Sequence, residues 1–233
     1  MRLAAASLLV LLAGCSAERE PAPAPMPTAT VAAPRTLVAA DFDPAMMGGA
    51  IAGTEKTDVM IGDRLARVSA LVACPNDIAD CDPATAPEGT VYTYVLTITP
   101  ELAPPMKPAP PAAGPSATAE TPVAPVEAPA ELVRMTRAAP GFNGAVGFAR
   151  AEAAAALGAD EALGITLDQN QLIWRVTEGA GWQAGKPITL WWQSTRPPAK
   201  PAAAYRLEYA GKRADIRAPF PAADKPVERS AAR

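Results

Sequence analysis

Val91-Tyr92-Thr93-Tyr94-Val95-Leu96-Thr97-Ile98-Thr99 decides the fold. The stretch has no charge, glycine or proline, and every residue but Leu96 is β-branched or aromatic. Such stiff side chains suit a pleated surface better than a helix. Tyr92, Tyr94, Leu96 and Ile98 share one face at period two, against Val91, Thr93, Val95, Thr97 and Thr99 on the other. The first set reads as a core face.

Working outward, the same alternation recurs on both sides. Upstream, Ala66–Cys74 puts Val68, Ala70, Val72 and Cys74 on one face, with shorter candidates at Thr36–Ala40 and Asp58–Ile61. Downstream, Glu131–Arg137 can pair, and Gly164–Asp168 with Gln171–Thr177 forms a hairpin about Gln169-Asn170. Leu172, Trp174 and Val176 face one way on its second arm. In Pro187–Thr195, Ile188, Leu190, Trp192 and Ser194 alternate with Thr189, Trp191, Gln193 and Thr195. Trp192 is expected inside and Trp191 on the polar face. Tyr205, Leu207 and Tyr209, then Asp215–Ala218, complete the set. Pro140–Gly144 reads as turns, and Ala149–Leu157 as a short alanine-rich helix stopped by Gly158. Roughly eight to ten short strands with Pro/Gly punctuation predict a mainly β fold, an antiparallel β-sandwich of the immunoglobulin or fibronectin kind with one short helix.

Proline and alanine divide the chain. Residues 16–35 carry Pro21, Pro23, Pro25, Pro27 and Pro34 with almost nothing to bury, which predicts a disordered tether. Extended at ~3.1 Å per residue, it would reach ~60 Å. Residues 103–130 return to Pro and Ala. A long loop inside one domain is preferred to a linker, because the first strands are too few to close a core alone. The expected domain spans 36–220, with a polar tail over 221–233 that frays from Pro219 onward.

At the start of the chain, Arg2 precedes an uncharged apolar run from Leu3 to Ala13, the length of a secretory signal rather than a membrane span. Leu12-Ala13-Gly14-Cys15 follows. This ending resembles the lipobox of bacterial lipoprotein signals: a branched apolar residue, two small residues and a cysteine. The resemblance covers residues 1–15 and implies a signal peptide over 1–14, cleavage before Cys15 and acylation of its thiol. Each buried methylene contributes about 0.8 kcal/mol, so two or three acyl chains hold a protein on a membrane durably. Ser16, where an aspartate favours inner-membrane retention in enteric bacteria, points to the outer membrane, facing the periplasm.

Composition narrows the chemistry. With 21 Lys plus Arg against 24 Asp plus Glu, the chain has no basic excess for nucleic acid. It has no histidine, hence no Ser-His-Asp or Cys-His system and no histidine metal ligand. A hydrolase working through carboxylates alone ranks third among the readings. Cys74 and Cys81, in an exported and oxidising setting, are expected to form a disulfide. Asn76, Asp77, Asp80 and Asp82 lack the spacing and turn glycine of an EF-hand and read as a solvated acidic loop. Asp41 and Asp43 read as a turn, and Met46-Met47 as packing.

No cofactor or metal is expected. The leading expectation is a non-enzymatic, lipid-anchored envelope protein whose sandwich presents an interaction surface, its partners the membrane through Cys15 and another envelope protein or a glycan. The second is a glycan- or small-ligand-binding module in which an exposed Trp191 stacks on a sugar, with Gln193 and Thr195 beside it to hydrogen-bond; against it stands a Trp191 covered by the Pro-rich loop or a second sheet, since buried aromatics outnumber ligand platforms.

Overall fold

In the computed structural model the Tyr94 stretch is a strand, Tyr92–Pro100, set in the interior of a six-stranded sheet. The structure describes residues 33–78, 81–101, 132–179, 181–209 and 211–222. These belong to one of two compact units of the chain, Ala32–Arg233. The proposed lipobox, most of the tether, the whole Pro/Ala-rich loop and residues 223–233 lie outside the described residues.

In chain order the elements are β1 (Arg35–Leu37), β2 (Ala40–Asp41), a 3-10 turn (Pro44–Met46), β3 (Met47–Ile61), β4 (Arg64–Pro75), β5 (Tyr92–Pro100), β6 (Leu132–Met135), β7 (Phe142–Phe148), α1 (Arg150–Leu157), β8 (Leu163–Asp168), β9 (Gln171–Val176), β10 (Ile188–Ser194), β11 (Ala202–Tyr209) and β12 (Lys212–Ala218). The first sheet runs β1-β8-β9-β6-β11-β12 and the second β2-β7-β10-β5-β4-β3. Pairing is antiparallel throughout, except that β2 lies parallel to β7. The protein is a two-sheet β-sandwich with one short helix.

Strands from either side of residues 102–131 share both the second sheet and the core. β10 pairs with β5 over Ile188↔Ile98 to Ser194↔Tyr92, and β7 pairs with β10 in turn. The alternation read from sequence explains the register. Tyr92, Tyr94, Leu96 and Ile98 of β5, Val68, Ala70, Val72 and Cys74 of β4, and Ile188, Leu190 and Trp192 of β10 all join the central core. A one-residue slip would turn each set outward. Polar tips inside the core are satisfied across the sheets. Trp192 Nε1 donates to Tyr205 Oη at 3.0 Å, and Trp174 Nε1 to the Gly147 carbonyl at 3.1 Å. Trp192 also stacks on Tyr94, their ring centroids 4.7 Å apart.

The turns follow local chemistry. Gln169 and Asn170 both take positive φ, 48° and 61°, as a two-residue primed hairpin turn requires. Gly158 ends α1 in the left-handed region at φ 79°, its N–H bonded to the Ala154 carbonyl.

Several expectations are corrected. Thr36–Ala40 is not one strand: β1 sits in the first sheet and β2 in the second, and the chain crosses between them at Val38, which is 93% exposed. Strand β3 begins eleven residues before the expected Asp58, its pairing with β4 interrupted by three register shifts that hide its period. Pro140-Gly141 is a turn, as expected, but the rest of Pro140–Gly144 is strand. Phe142 opens β7, and the turn-forming Asn143-Gly144 lies where the register with β10 shifts between Trp192 and Ser194. The tail does not fray at Pro219. Phe220 is buried at 3% and packs against Trp192 and Tyr205. A bridge between Pro198 and Pro221 and the bond from Ala222 N to the Pro197 carbonyl fasten the chain beyond it.

Candidate functional site

The two outer faces of the sandwich differ in chemistry. On the second sheet, Ser69 and Leu71 of β4, Thr93, Val95 and Thr97 of β5, and Thr189, Trp191 and Gln193 of β10 point away from the core and carry no charge. Arg67 sits beyond them, paired with Asp58 and Glu101.

Trp191 is on this outer face, as its alternation requires, but it is not exposed: its relative accessibility is 5%. The expectation of an open stacking platform is therefore corrected. Its cover is the segment Phe42–Met47, which with Thr93 and Gln193 closes about 10 Å³ of residual space over the ring. That segment is folded by its own aspartates. Asp43 Oδ1 accepts from Ala45 N at 2.9 Å and caps the 3-10 turn, and Asp41 Oδ1 accepts from Arg150 N at 2.8 Å, capping α1 from outside the helix. The two carboxylates are thus turn and cap groups. Met46 lies 55% exposed and Met47 half-buried along the same cover.

Close approach beneath the cover depends on Gly147. A Cβ there would stand 1.8 Å from the Ala40 carbonyl oxygen and 2.8 Å from Trp191 Nε1. The indole N–H of Trp191 is buried and has no hydrogen-bond partner among the described residues. Gln193 faces Thr93 and Asn143: its Nε2 donates to Thr93 Oγ1 at 3.3 Å and its Oε1 accepts from Asn143 Nδ2 at 3.2 Å. Trp191 and Gln193 are therefore brought together with Thr93 beneath the cover, while Thr195 stands exposed at the strand end.

Beyond the covered tryptophan the face opens into a trough of about 450 Å³. Ala50–Thr54 of the irregular edge strand β3 form one wall, and Ser69, Leu71, Val95 and Thr97 contribute to its floor. Its surface is alkyl and hydroxyl. Ile51, Leu71, Val95 and Thr97 were not singled out from sequence, although the uncharged face of β5 was already visible at period two.

Cys74 and Cys81 are joined by a disulfide with Cα atoms 6.2 Å apart, closing a loop of sequence separation 7. Asn76 in that loop donates from Nδ2 to the Ala45 carbonyl at 2.6 Å, which ties the loop to the cover of Trp191. Asp77 and Asp82 are exposed, and Asp80 lies outside the described residues. Among the described residues no group of three or more acidic, cysteine or histidine side chains could hold a metal ion.

A smaller cavity of about 80 Å³ opens between the sheets, lined by Ile61, Ile98, Trp182, Leu207 and Tyr209. Arg64 lies over its tyrosine: Nη1 donates to Tyr209 Oη at 2.5 Å, and the guanidinium is 4.8 Å from the ring centroid.

The fold and these surfaces define the class as a two-sheet β-sandwich, with an uncharged trough on one outer face. In comparisons with protein-family models, curated proteins and solved structures, nothing matches the chain. Among the described residues no helix is long and apolar enough to cross a membrane.

Proposed function

We propose that this is a lipid-anchored protein of the bacterial envelope, held by acylated Cys15 in the outer membrane and facing the periplasm, whose β-sandwich binds another envelope protein and performs no catalysis. The observation that carries the reading is the trough on the second sheet. Its alkyl and hydroxyl lining suits an extended, uncharged segment of a partner chain, whose side chains enter between β3 and β5. The lipobox and tether supply the anchor, and the absence of histidine weighs against the commonest hydrolytic machinery.

A photo-cross-linking residue placed at Ile51, in the whole protein in cells, tests the reading. The expected result is a discrete protein adduct that Leu71→Glu abolishes while the thermal midpoint stays within a few degrees. The same probe at exposed Lys200 should give no such adduct. An adduct indifferent to Leu71→Glu, or turnover of a substrate by the purified protein, would contradict it.

A further inference from the structure

The outer face of the first sheet has the opposite character. Arg134 of β6 and Arg206 of β11 stand directly opposite each other, and Arg175 of β9 is the diagonal neighbour of Arg134 on the same face. Like charges so placed destabilise a sheet unless something compensates them. Arg206 has its compensation in Asp215, at 2.7 Å. Arg134 has a neutral contact, Nη2 to Gln171 Oε1 at 3.4 Å, and Arg175 is exposed with no acidic partner among the described residues. The same face also carries Arg213, paired with Glu208 at 3.3 Å, so that Arg134 and Arg175 are the two arginines among these with no acidic partner among the described residues.

We infer that this face rests on the phosphate-bearing headgroups of the membrane that carries the anchor. Guanidinium groups bind phosphate oxygens through paired donors, and basic side chains near an anionic bilayer are attracted to it. Connectivity agrees. The residues leading back to Cys15 enter at β1, an edge of this same sheet, and β6 is the third strand beyond it. At ~4.8 Å between strands that is ~15 Å, well inside the tether's reach of ~60 Å. The arginine face then lies down and the trough of the other sheet faces away from the lipid. The membrane in this inference rests on the anchored reading above. Its test uses unacylated protein, so failure here and failure of the anchor are separate results.

The chain from Ala32 onward contains every described element and the whole core, and is the form to test. It is sedimented with vesicles of phosphatidylcholine, alone or with about 30% phosphatidylglycerol. Binding to the anionic vesicles alone is expected, weakening as salt rises toward about 0.15 M. The double substitution Arg134→Gln/Arg175→Gln should weaken it at least tenfold, whereas Arg134→Lys/Arg175→Lys should keep at least half. Asp215→Asn, which releases Arg206, should strengthen binding severalfold, a gain that a merely structural role would not produce. Equal binding to neutral vesicles, or a Gln variant that folds and binds as before, would overturn the inference. So would inhibition by inorganic phosphate beyond that of chloride at equal ionic strength, which would mark a site for a free anion instead.

Discussion

Two adjacent tryptophans meet opposite surroundings. Trp192 is stacked on Tyr94, its N–H taken by Tyr205 in the core; Trp191 is held under a short cover with its N–H unpaired among the described residues. Replacing Trp192 by Ala should therefore cost about 3–5 kcal/mol, read from the urea midpoint. Trp191→Phe, which removes a buried donor already without a partner, should cost less than about 1.5 kcal/mol. A larger loss at Trp191 than at Trp192 would contradict this assignment. Burial also raises Tyr94 and Tyr205 above the usual phenol value of 10.0, with the neighbouring tyrosines adding to the shift at Tyr94. A phenol protonated in the folded state beyond that value contributes stability that is complete below pH 10 and lost as pH rises above it. The urea midpoint should accordingly fall above about pH 10, with the tyrosinate absorbance of these two residues appearing together with unfolding. Ionisation of both in the native protein near pH 10, with an unchanged midpoint, would refute it.

Among the elements, the cover of Trp191 is the most dependent on particular residues. The β2–β7 contact is two residue pairs long, and it exists because position 147 has no side chain. Gly147→Ala should strain or detach β2 at a cost of about 1–3 kcal/mol, visible as a lowered thermal midpoint and increased Trp191 fluorescence quenching. Removing the disulfide by Cys74→Ala/Cys81→Ala should cost about 2–3 kcal/mol in the chain-entropy model. What sequence could deliver follows from the same physics. Strands with unbroken alternation, β4, β5, β9 and β10, were legible, as were the primed turn at Gln169-Asn170 and the helix stop at Gly158. Only the regular end of β3, Asp58–Ile61, was legible and β7 was not, since register shifts before Thr57 in β3 and about Asn143-Gly144 in β7 break the period of two that reveals a strand. Trp191 is placed on the correct face and a covered indole is among its readings, but the segment that covers it is not legible, because it lies about 150 positions earlier and no local pattern records that contact. The arginine face escaped for a related reason: Arg134, Arg175 and Arg206 lie on three separate strands and become neighbours only through sheet order.

For the whole molecule, the two faces of one sandwich divide the proposed tasks. Arginines on the first sheet suit an anionic lipid surface, and an uncharged trough on the second suits a neutral partner segment. Both depend on the chain being held at a membrane by its cysteine. The most direct measurement is intact mass spectrometry of the protein extracted from membranes, with and without reduction. The account predicts a species beginning at Cys15 with residues 1–14 removed and two or three acyl chains added, which gains two hydrogens on reduction as the Cys74–Cys81 bond opens. An unacylated species recovered from the soluble fraction would contradict it.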